Sequence, residues 1–293
     1  MSWASKLSDP YRIDHGKKFR LKDFDPASTG HFHSKEHAQE LLDKGIASMR
    51  ELQDKLYAQG QWALLIILQA MDAAGKDGVI KHVMSGVNPQ GCQVYPFKQP
   101  SLEDLNHDYM WRSNRKLPER GHIGIFNRSY YEEVLVVRVH SEILKNERIP
   151  DELIGKNIWQ ERFEDISNSE RYLTRNGIVI RKFFLNISRK EQKRRFLERL
   201  DNAEKNWKFS AADARERECW DDYMKAYEDM IAATSKKHAP WYVVPADNKW
   251  YTRLVVAAAI VDAMEELKLS YPKVSPAERK QLLEAREELA GKK

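Results

Sequence analysis

From Ala63 to Leu68 the chain reads ALLIIL, six apolar residues without a polar break. A short continuous run of this kind predicts a strand buried on both faces, as in a parallel sheet. Comparable runs recur at Cys92–Phe97, His122–Phe126, Ile178–Leu185 and Trp241–Pro245. Helical spacing fills the intervals. Ala38, Leu41, Leu42, Ile46, Met49 and Leu52 share one face of a helix that Ser34 caps, that runs through Tyr57 and that Gly60 ends. Asp104–Arg115, Asp151–Arg175, Arg189–Leu200 and Ala211–Thr234 show the same period, and Ser188 with Glu191 forms a capping-box signature. Asp247-Asn248 reads as the cap of the final core helix. Five strands alternating with helices predict an α/β fold, a parallel five-stranded sheet with helices on both faces. Ligands of such a sheet bind at the carboxyl ends of its strands. Residues 1–33 lack periodicity and read as an extended arm. Residues 34–272 read as a single domain, and 273–293 as a charged tail, either a peripheral helix or a frayed end.

Composition narrows the class. The 293 residues suffice for a full core without a disulfide or metal staple, and eight Trp, twelve Tyr and ten Phe supply too much burial for a disordered chain. The apolar stretches Trp62–Leu68 and Leu254–Val261 fall far short of the ~18 residues a membrane span needs. No apolar signal sequence follows Met1, and two cysteines outside any C-x-x-C pair give neither a disulfide framework nor a structural zinc site. The expected location is cytoplasmic, with no membrane partner. A net charge of +5 suits an anionic partner without choosing among nucleic acid, nucleotide and another polyanion.

The chemistry concentrates where the first apolar run ends. Gln69-Ala-Met-Asp-Ala-Ala-Gly-Lys-Asp-Gly78 joins a predicted strand to a predicted helix. A phosphate-binding loop has the form G-x-x-x-x-G-K-[ST] in that context. Gly75-Lys76 fits it, Ala70 stands at the leading glycine, and Asp77 replaces the hydroxyl residue. Backbone amides of a tight loop that opens a helix bind anions, and Lys76 adds a point charge. The alternative is a surface turn in which Gly75 and Gly78 serve backbone geometry alone. Asp72 and Asp77 would repel a phosphate unless a divalent cation lay between them and its oxygens, an arrangement that suits magnesium.

The run HIGIF ends at Asn127-Arg128-Ser129-Tyr130-Tyr131-Glu132-Glu133. The strand beside a phosphate-binding loop commonly delivers an acid at its tip. Here the position is the neutral Asn127, followed by Arg128, which suits a bidentate phosphate clamp or a plain ion pair with Glu132. The segments MDAAGKDG, FNRSYYEEVLVVRV, RLDNAEKNWKFS and APWYVVPADNKWY, in that order, resemble the polyphosphate kinase 2 family, with Asn127 and FNRSYYEEVLV similar to its class III members. The resemblance spans roughly Tyr11 to Pro272. It implies a P-loop kinase fold with a helical lid at about 188–215. It also implies reversible phosphoryl transfer between inorganic polyphosphate and AMP or ADP, forming ADP or ATP, with magnesium or manganese as cofactor. Guanine nucleotides remain open as further substrates, and a homo-oligomer is implied without a legible interface. Carried over by position, Asp72, Lys76 and Asp77 fall on the Walker A motif, and Asn127 and Arg128 on the Walker B motif. Asp72, Lys76 and Arg128 are then the catalytic residues, and Asp72 and Asp77 the metal ligands. Asn127 is an orienting group, and Glu133 or a neighbour restores part of the missing charge.

Ser188–Lys208 carries eight basic and four acidic side chains, a surplus of four. Arg195 and Arg199 stand one helical turn apart. A solvated amphipathic helix would look the same. The resemblance favours a polyphosphate track of Arg195, Arg199, Lys205 and Lys208, with Trp207 in the same lid motif, joined to the phosphate cradle of Gly75, Lys76, Gly78 and Arg128. Two rivals share parts of the pattern. An ordinary ATP-dependent kinase needs no long basic track, and a nucleic-acid binder leaves the paired carboxylates of the loop without a purpose. No H-E-x-x-H or G-x-S-x-G pattern supports a zinc enzyme or a serine hydrolase.

Overall fold

Six strands form one sheet in the order β1-β6-β5-β2-β4-β3, where β1 is Arg12–Ile13, β2 Ala63–Gln69, β3 Cys92–Pro96, β4 Ile123–Asn127, β5 Ile178–Asn186 and β6 Trp241–Pro245. The computed structural model describes residues 2–291, except for the side chains of Lys208 and Ala211. The five expected strands are all present and mutually parallel. The sixth, β1, pairs antiparallel with β6 at one edge. β2 lies between β4 and β5, and each of its residues is buried. This explains why its sequence is a continuous apolar run rather than an alternation. Register brings the carboxyl ends level. Leu68 lies opposite Asn127 of β4 and Phe183 of β5, and Asn127 lies opposite Pro96 of β3.

The residue 1–33 arm is not extended. Trp3–Ser8 forms a helix capped by the Ser2 hydroxyl, and Asp9–Tyr11 and Leu21–Asp23 form single 3₁₀ turns. Its aromatic residues anchor it without any period. Trp3 packs on Gly45, and the Tyr11 and Tyr251 hydroxyls are hydrogen-bonded at 2.8 Å. Gly16 is held so close to the Ala232 carbonyl that a Cβ would stand 1.7 Å from its oxygen.

Ser34 caps the helix Lys35–Gln59, and Gly60 ends it in the left-handed conformation. Other expected helices are broken for local reasons. Asp104–Arg115 is a 3₁₀ turn and the short helix Trp111–Asn114, because Asp108 caps the Met110 amide and His107 stacks on Trp111. The helix expected from Asp151 starts at Ile158, after Gly155. Ala211–Thr234 divides into Ala211–Glu216, a 3₁₀ turn and Trp220–Thr234. Lys249–Glu265 lies against the sheet and is buried on nearly all sides, with Ala257, Ala258 and Ala259 allowing close approach of Lys35–Gln59. Asn248 occupies its N-cap but donates its side-chain amide to the Ala27 carbonyl rather than capping the helix, and Asp247 accepts the Ser188 amide. The tail contains a helix, Pro276–Leu289, with no buried residue, and Lys292 and Lys293 lie outside the described residues. Among the described residues no helix is long and apolar enough to cross a membrane.

Candidate active site

The carboxyl ends of β2, β3, β4 and β6 open into one cavity of about 730 Å³. Its floor is the loop after β2. Ala73 and Gly75 take left-handed conformations, with φ of 62° and 109°, and the chain turns directly into the helix Lys76–Val83. The Gly75 carbonyl accepts from the Val79 amide at 2.9 Å, so the amides of the first turn point outward without an intrahelical partner. A Cβ on Gly78 would meet nothing within 4 Å. Packing therefore gives no reason for a glycine inside this helix, and an open space over the amides does.

Lys76 donates to the Ala70 carbonyl at 2.9 Å, which fixes its ammonium above the loop. Burial, followed by the nearby Arg128, depresses its pKa to about 8. An anion placed there would relieve both effects. Arg128 reaches across from the end of β4. Its backbone is left-handed, at φ 65°, and its amide donates to the Leu68 carbonyl, so the side chain turns back over the β2 loop. One guanidinium nitrogen donates to Asp72 at 2.9 Å and another stands 3.6 Å from Glu132. Both readings of Arg128 thus coexist, an ion pair and a cation at the cavity wall. Asn127 donates its amide to one Asp77 oxygen at 2.8 Å, so the neutral residue orients the carboxylate.

Glu133 is not beside these groups. The 3₁₀ turn Tyr130–Val134 sends it into the interior, where it accepts from Arg112 at 3.3 Å, and burial raises its pKa to about 7. Its neighbour Glu132 faces Arg128 instead, with its pKa raised by burial against the pull of Arg128 and Lys76. The turn is pinned from behind. The Tyr130 and Tyr131 hydroxyls donate to Glu170 at 3.0 and 2.7 Å, and the wholly buried Lys182 donates to the same carboxylate at 2.6 Å. Gln69 donates to Ser129, which ties the β2 loop to the β4 loop.

The basic segment separates into two roles. Arg195 is 4 % exposed, and all five of its N–H groups are engaged. They bond Glu191, the Ala73 and Ala74 carbonyls of the β2 loop, and the Ala246 and Asp247 carbonyls after β6, at 2.6 to 3.0 Å. Arg195 therefore staples three elements, and it lines the cavity with its donors already committed. Its hold on Glu191, shared with Arg194, also leaves the capping box half made. Ser188 accepts the Glu191 amide, but the Glu191 carboxylate faces the two arginines. Arg199, Lys205 and Trp207 do line the cavity. Arg199 lies over the Phe196 ring, Lys205 pairs with Glu198 at 2.6 Å, and the Trp207 indole donates to the Glu204 carbonyl. The Lys208 side chain lies outside the described residues. Lys98, Lys249 and Arg253 also line the cavity and were given no role above, although Lys249 falls inside the APWYVVPADNKWY segment. The signal for the last two is their place just beyond β6, four residues apart.

The family model described as Polyphosphate kinase 2 matches residues 32–272. The chain is 54 % identical over 280 residues to an ADP-polyphosphate phosphotransferase of Rhodopseudomonas palustris, covering 95 % of this chain and 97 % of that one. It is 44 % identical over 275 residues to an AMP/ADP-polyphosphate phosphotransferase of Meiothermus ruber, covering 94 % and 99 %. The crystal structure of polyphosphate kinase 2 from Arthrobacter aurescens superposes with a TM-score of 0.86 at 40 % identity, over 97 % of this chain and 99 % of that one.

Proposed function

The chain belongs to the polyphosphate kinase 2 family, and from that premise we propose that it moves phosphoryl groups reversibly between inorganic polyphosphate and adenine nucleotides, using both AMP and ADP as acceptors. The observation that carries this reading is one cavity in which a phosphate-binding loop, Lys76 and Arg128 share their space with the basic side chains Arg199 and Lys205. Phosphoryl transfer asks little covalent chemistry of a protein and depends on positioning and charge neutralisation. In this reading Lys76 and the first-turn amides hold the transferring phosphoryl group. Arg128, aimed by Asp72 and Glu132, holds the adjoining phosphate. The segment 188–215 closes over the cavity as a lid and carries the polyphosphate chain on Arg199 and Lys205. The acceptor is a nucleotide phosphate oxygen, already ionised near neutral pH, so a strong general base is not required.

The carboxylates fit a divalent cation, and magnesium is the ion we propose. Magnesium takes one or two carboxylates and completes its shell with substrate phosphates and water. Asp77 is exposed to the cavity, with one oxygen fixed by Asn127 and the other without a hydrogen bond among the described residues, and Asp72 likewise uses one oxygen on Arg128. Bound there, the ion would offset phosphate charge beside two carboxylates that would otherwise repel the substrate.

The test is direct. Purified protein with polyphosphate, AMP or ADP and magnesium forms ADP or ATP with no ATP added, and chelation of the metal stops turnover. If ATP phosphorylates AMP while polyphosphate is inert, the protein is an ordinary nucleotide kinase.

A pH profile follows from Lys76. Its pKa of about 8 belongs to the protein without substrate. Below that value it binds phosphate as an ammonium, and above it the free protein loses the charge. The expected kcat/KM therefore falls above about pH 8, approaching tenfold per pH unit. At saturating substrate kcat is less affected, because bound phosphate restores the charge. A kcat/KM that is flat to pH 10 would remove Lys76 from phosphate binding.

A further inference from the structure

Gln192 is 1 % exposed, and both ends of its side-chain amide are engaged. The NH₂ group donates to the Asp72 carbonyl at 3.1 Å, and the oxygen accepts from Arg217 at 2.8 Å. Those partners fix which end is which, because a carbonyl accepts and a guanidinium donates. Next along the same helix, Arg195 donates to the Ala73 and Ala74 carbonyls. Three successive carbonyls of the β2 loop thus face the helix Arg189–Asp201. A trans peptide points its N–H opposite its C=O, so the Ala73 and Gly75 amides turn away from that helix. Asp72 is also the residue whose carboxylate meets Arg128 at 2.9 Å. Its backbone and its side chain are therefore set by different elements.

The second partner of Gln192 comes from another part of the chain. The segment 188–215 leaves the body at Ser188, and Arg217 stands where it returns, in the 3₁₀ turn before the helix Trp220–Thr234. That return is anchored. Glu216 accepts from the Tyr223 hydroxyl at 2.7 Å and from His140 Nε2 at 2.9 Å. The Arg217 nitrogen that meets Gln192 also donates to the Arg189 carbonyl at 2.8 Å. Both ends of the segment are thereby joined, and the joint reaches Asp72 through a single amide. We propose that Arg217 and Gln192 form a positioning relay, in which Arg217 at the return of the lid holds the Gln192 amide and Gln192 sets the Asp72–Ala73 peptide of the phosphate-binding loop. Neither is among the described residues that line the cavity, so the relay acts through Asp72 and not on substrate. The inference rests on the phosphoryl-transfer reading above. Its consequence is that the loop keeps its working geometry only while the two ends of the lid are joined, and a displacement of the return frees Asp72.

The experiment uses the full chain with Gln192→Met, Arg217→Met, the pair combined, and Gln192→Glu. Circular dichroism and Tm are recorded for each. The kcat and KM are then measured well below the lowest Tm, with tripolyphosphate and long-chain polyphosphate as donors and ADP as acceptor. Small misplacements at a reacting centre are costly, so release of the Asp72 peptide should lower the kcat of Gln192→Met by roughly tenfold or more. The loss should be equal for both donors, with little change in KM. Arg217→Met should show a smaller loss of the same kind. The double variant should match Gln192→Met, because Arg217 acts only through the amide. In Gln192→Glu the new carboxylate still accepts from Arg217, so Tm should stay near wild type. Ionised beside that arginine, it cannot donate to the Asp72 carbonyl, and kcat should stay low. Should Gln192→Glu unfold, the double variant carries the test. Losses that multiply in the double variant, or a wild-type kcat in Gln192→Glu, would overturn the relay. A defect confined to the KM of the long donor would make Arg217 a donor contact and overturn it as well. A wild-type protein inert towards polyphosphate would overturn the functional reading alone, since the same variants can then be compared with ATP as donor.

Discussion

Lys76→Ala should lower kcat by roughly 10²-fold or more while the folded protein becomes no less stable. The rate loss follows from where the ammonium sits. It is held over the β2 loop by the Ala70 carbonyl, in a partly desolvated corner beside Arg128. One preorganised electrostatic contact of this kind is worth about 10²–10³ in rate when it faces charge that develops in the transition state. The stability expectation has the opposite sign. The folded pKa of Lys76, about 8, lies below the usual lysine range. At pH 7 the charged form is therefore a cost to the fold, and between about pH 8 and the ordinary lysine value folding becomes more favourable as pH rises. Alanine removes that cost together with one hydrogen bond, so Tm at pH 7 should hold or rise. Activity traded against stability is the pattern of a residue retained for binding an anion. Near-wild-type turnover would return the loop to a surface turn, and a large drop in Tm would make Lys76 a structural residue.

Much of this site was legible because its signals are local. The ALLIIL run gave the central strand, and Gly75-Lys76 directly after it gave the anion loop, since both depend on neighbours in sequence. Asn127 and Arg128 were legible for the same reason, as the tip of the next apolar run. What the sequence could not show is the direction of side chains through irregular backbone. Glu132 and Glu133 are adjacent and chemically alike, and only the 3₁₀ turn, pinned by Tyr130 and Tyr131 on Glu170, decides that Glu132 meets Arg128. The arm is a similar case. Trp3, Tyr11 and Phe24 dock singly, so no period announces that β1 will add to the sheet.

The basic segment shows a second kind of limit. Periodicity put Arg195 and Arg199 on one face, and they are on one face. Depth along the helix is not encoded in that period. Arg195 lies where the helix meets the loops after β2 and β6, and Arg199, one turn on, has passed into the cavity wall. The same charge run therefore contains a buried staple and a surface that can meet substrate. Lys249 and Arg253 received no role for the complementary reason, since two cations embedded in an apolar helix carry no surplus that composition could reveal, and the segment APWYVVPADNKWY reaches only the first of them.

Arg195→Ala should then behave unlike Arg199→Ala, and it is the second large effect expected. Removing Arg195 leaves the Ala73, Ala74, Ala246 and Asp247 carbonyls without its donors in a buried position. Breaking a buried charged network costs about 3–5 kcal/mol, which for a chain of this size lowers Tm by roughly 10 °C. The β2 loop would also lose the contacts that hold Ala73 and Ala74, and a displacement of about 1 Å at a reacting centre costs on the order of 10²-fold in rate. That loss should fall on kcat for every length of polyphosphate, because it concerns the loop and not the track. Arg195→Lys separates charge from geometry. Lysine keeps the charge but cannot reach two pairs of carbonyls and a carboxylate from one ammonium. It should fail nearly as badly as alanine in both Tm and kcat. Arg199→Ala, by contrast, should leave Tm close to wild type and raise the KM of long donors. A variant at Arg195 with an intact melting curve, a defect confined to long-chain KM and rescue by lysine would show that the guanidinium leaves its carbonyls to bind polyphosphate.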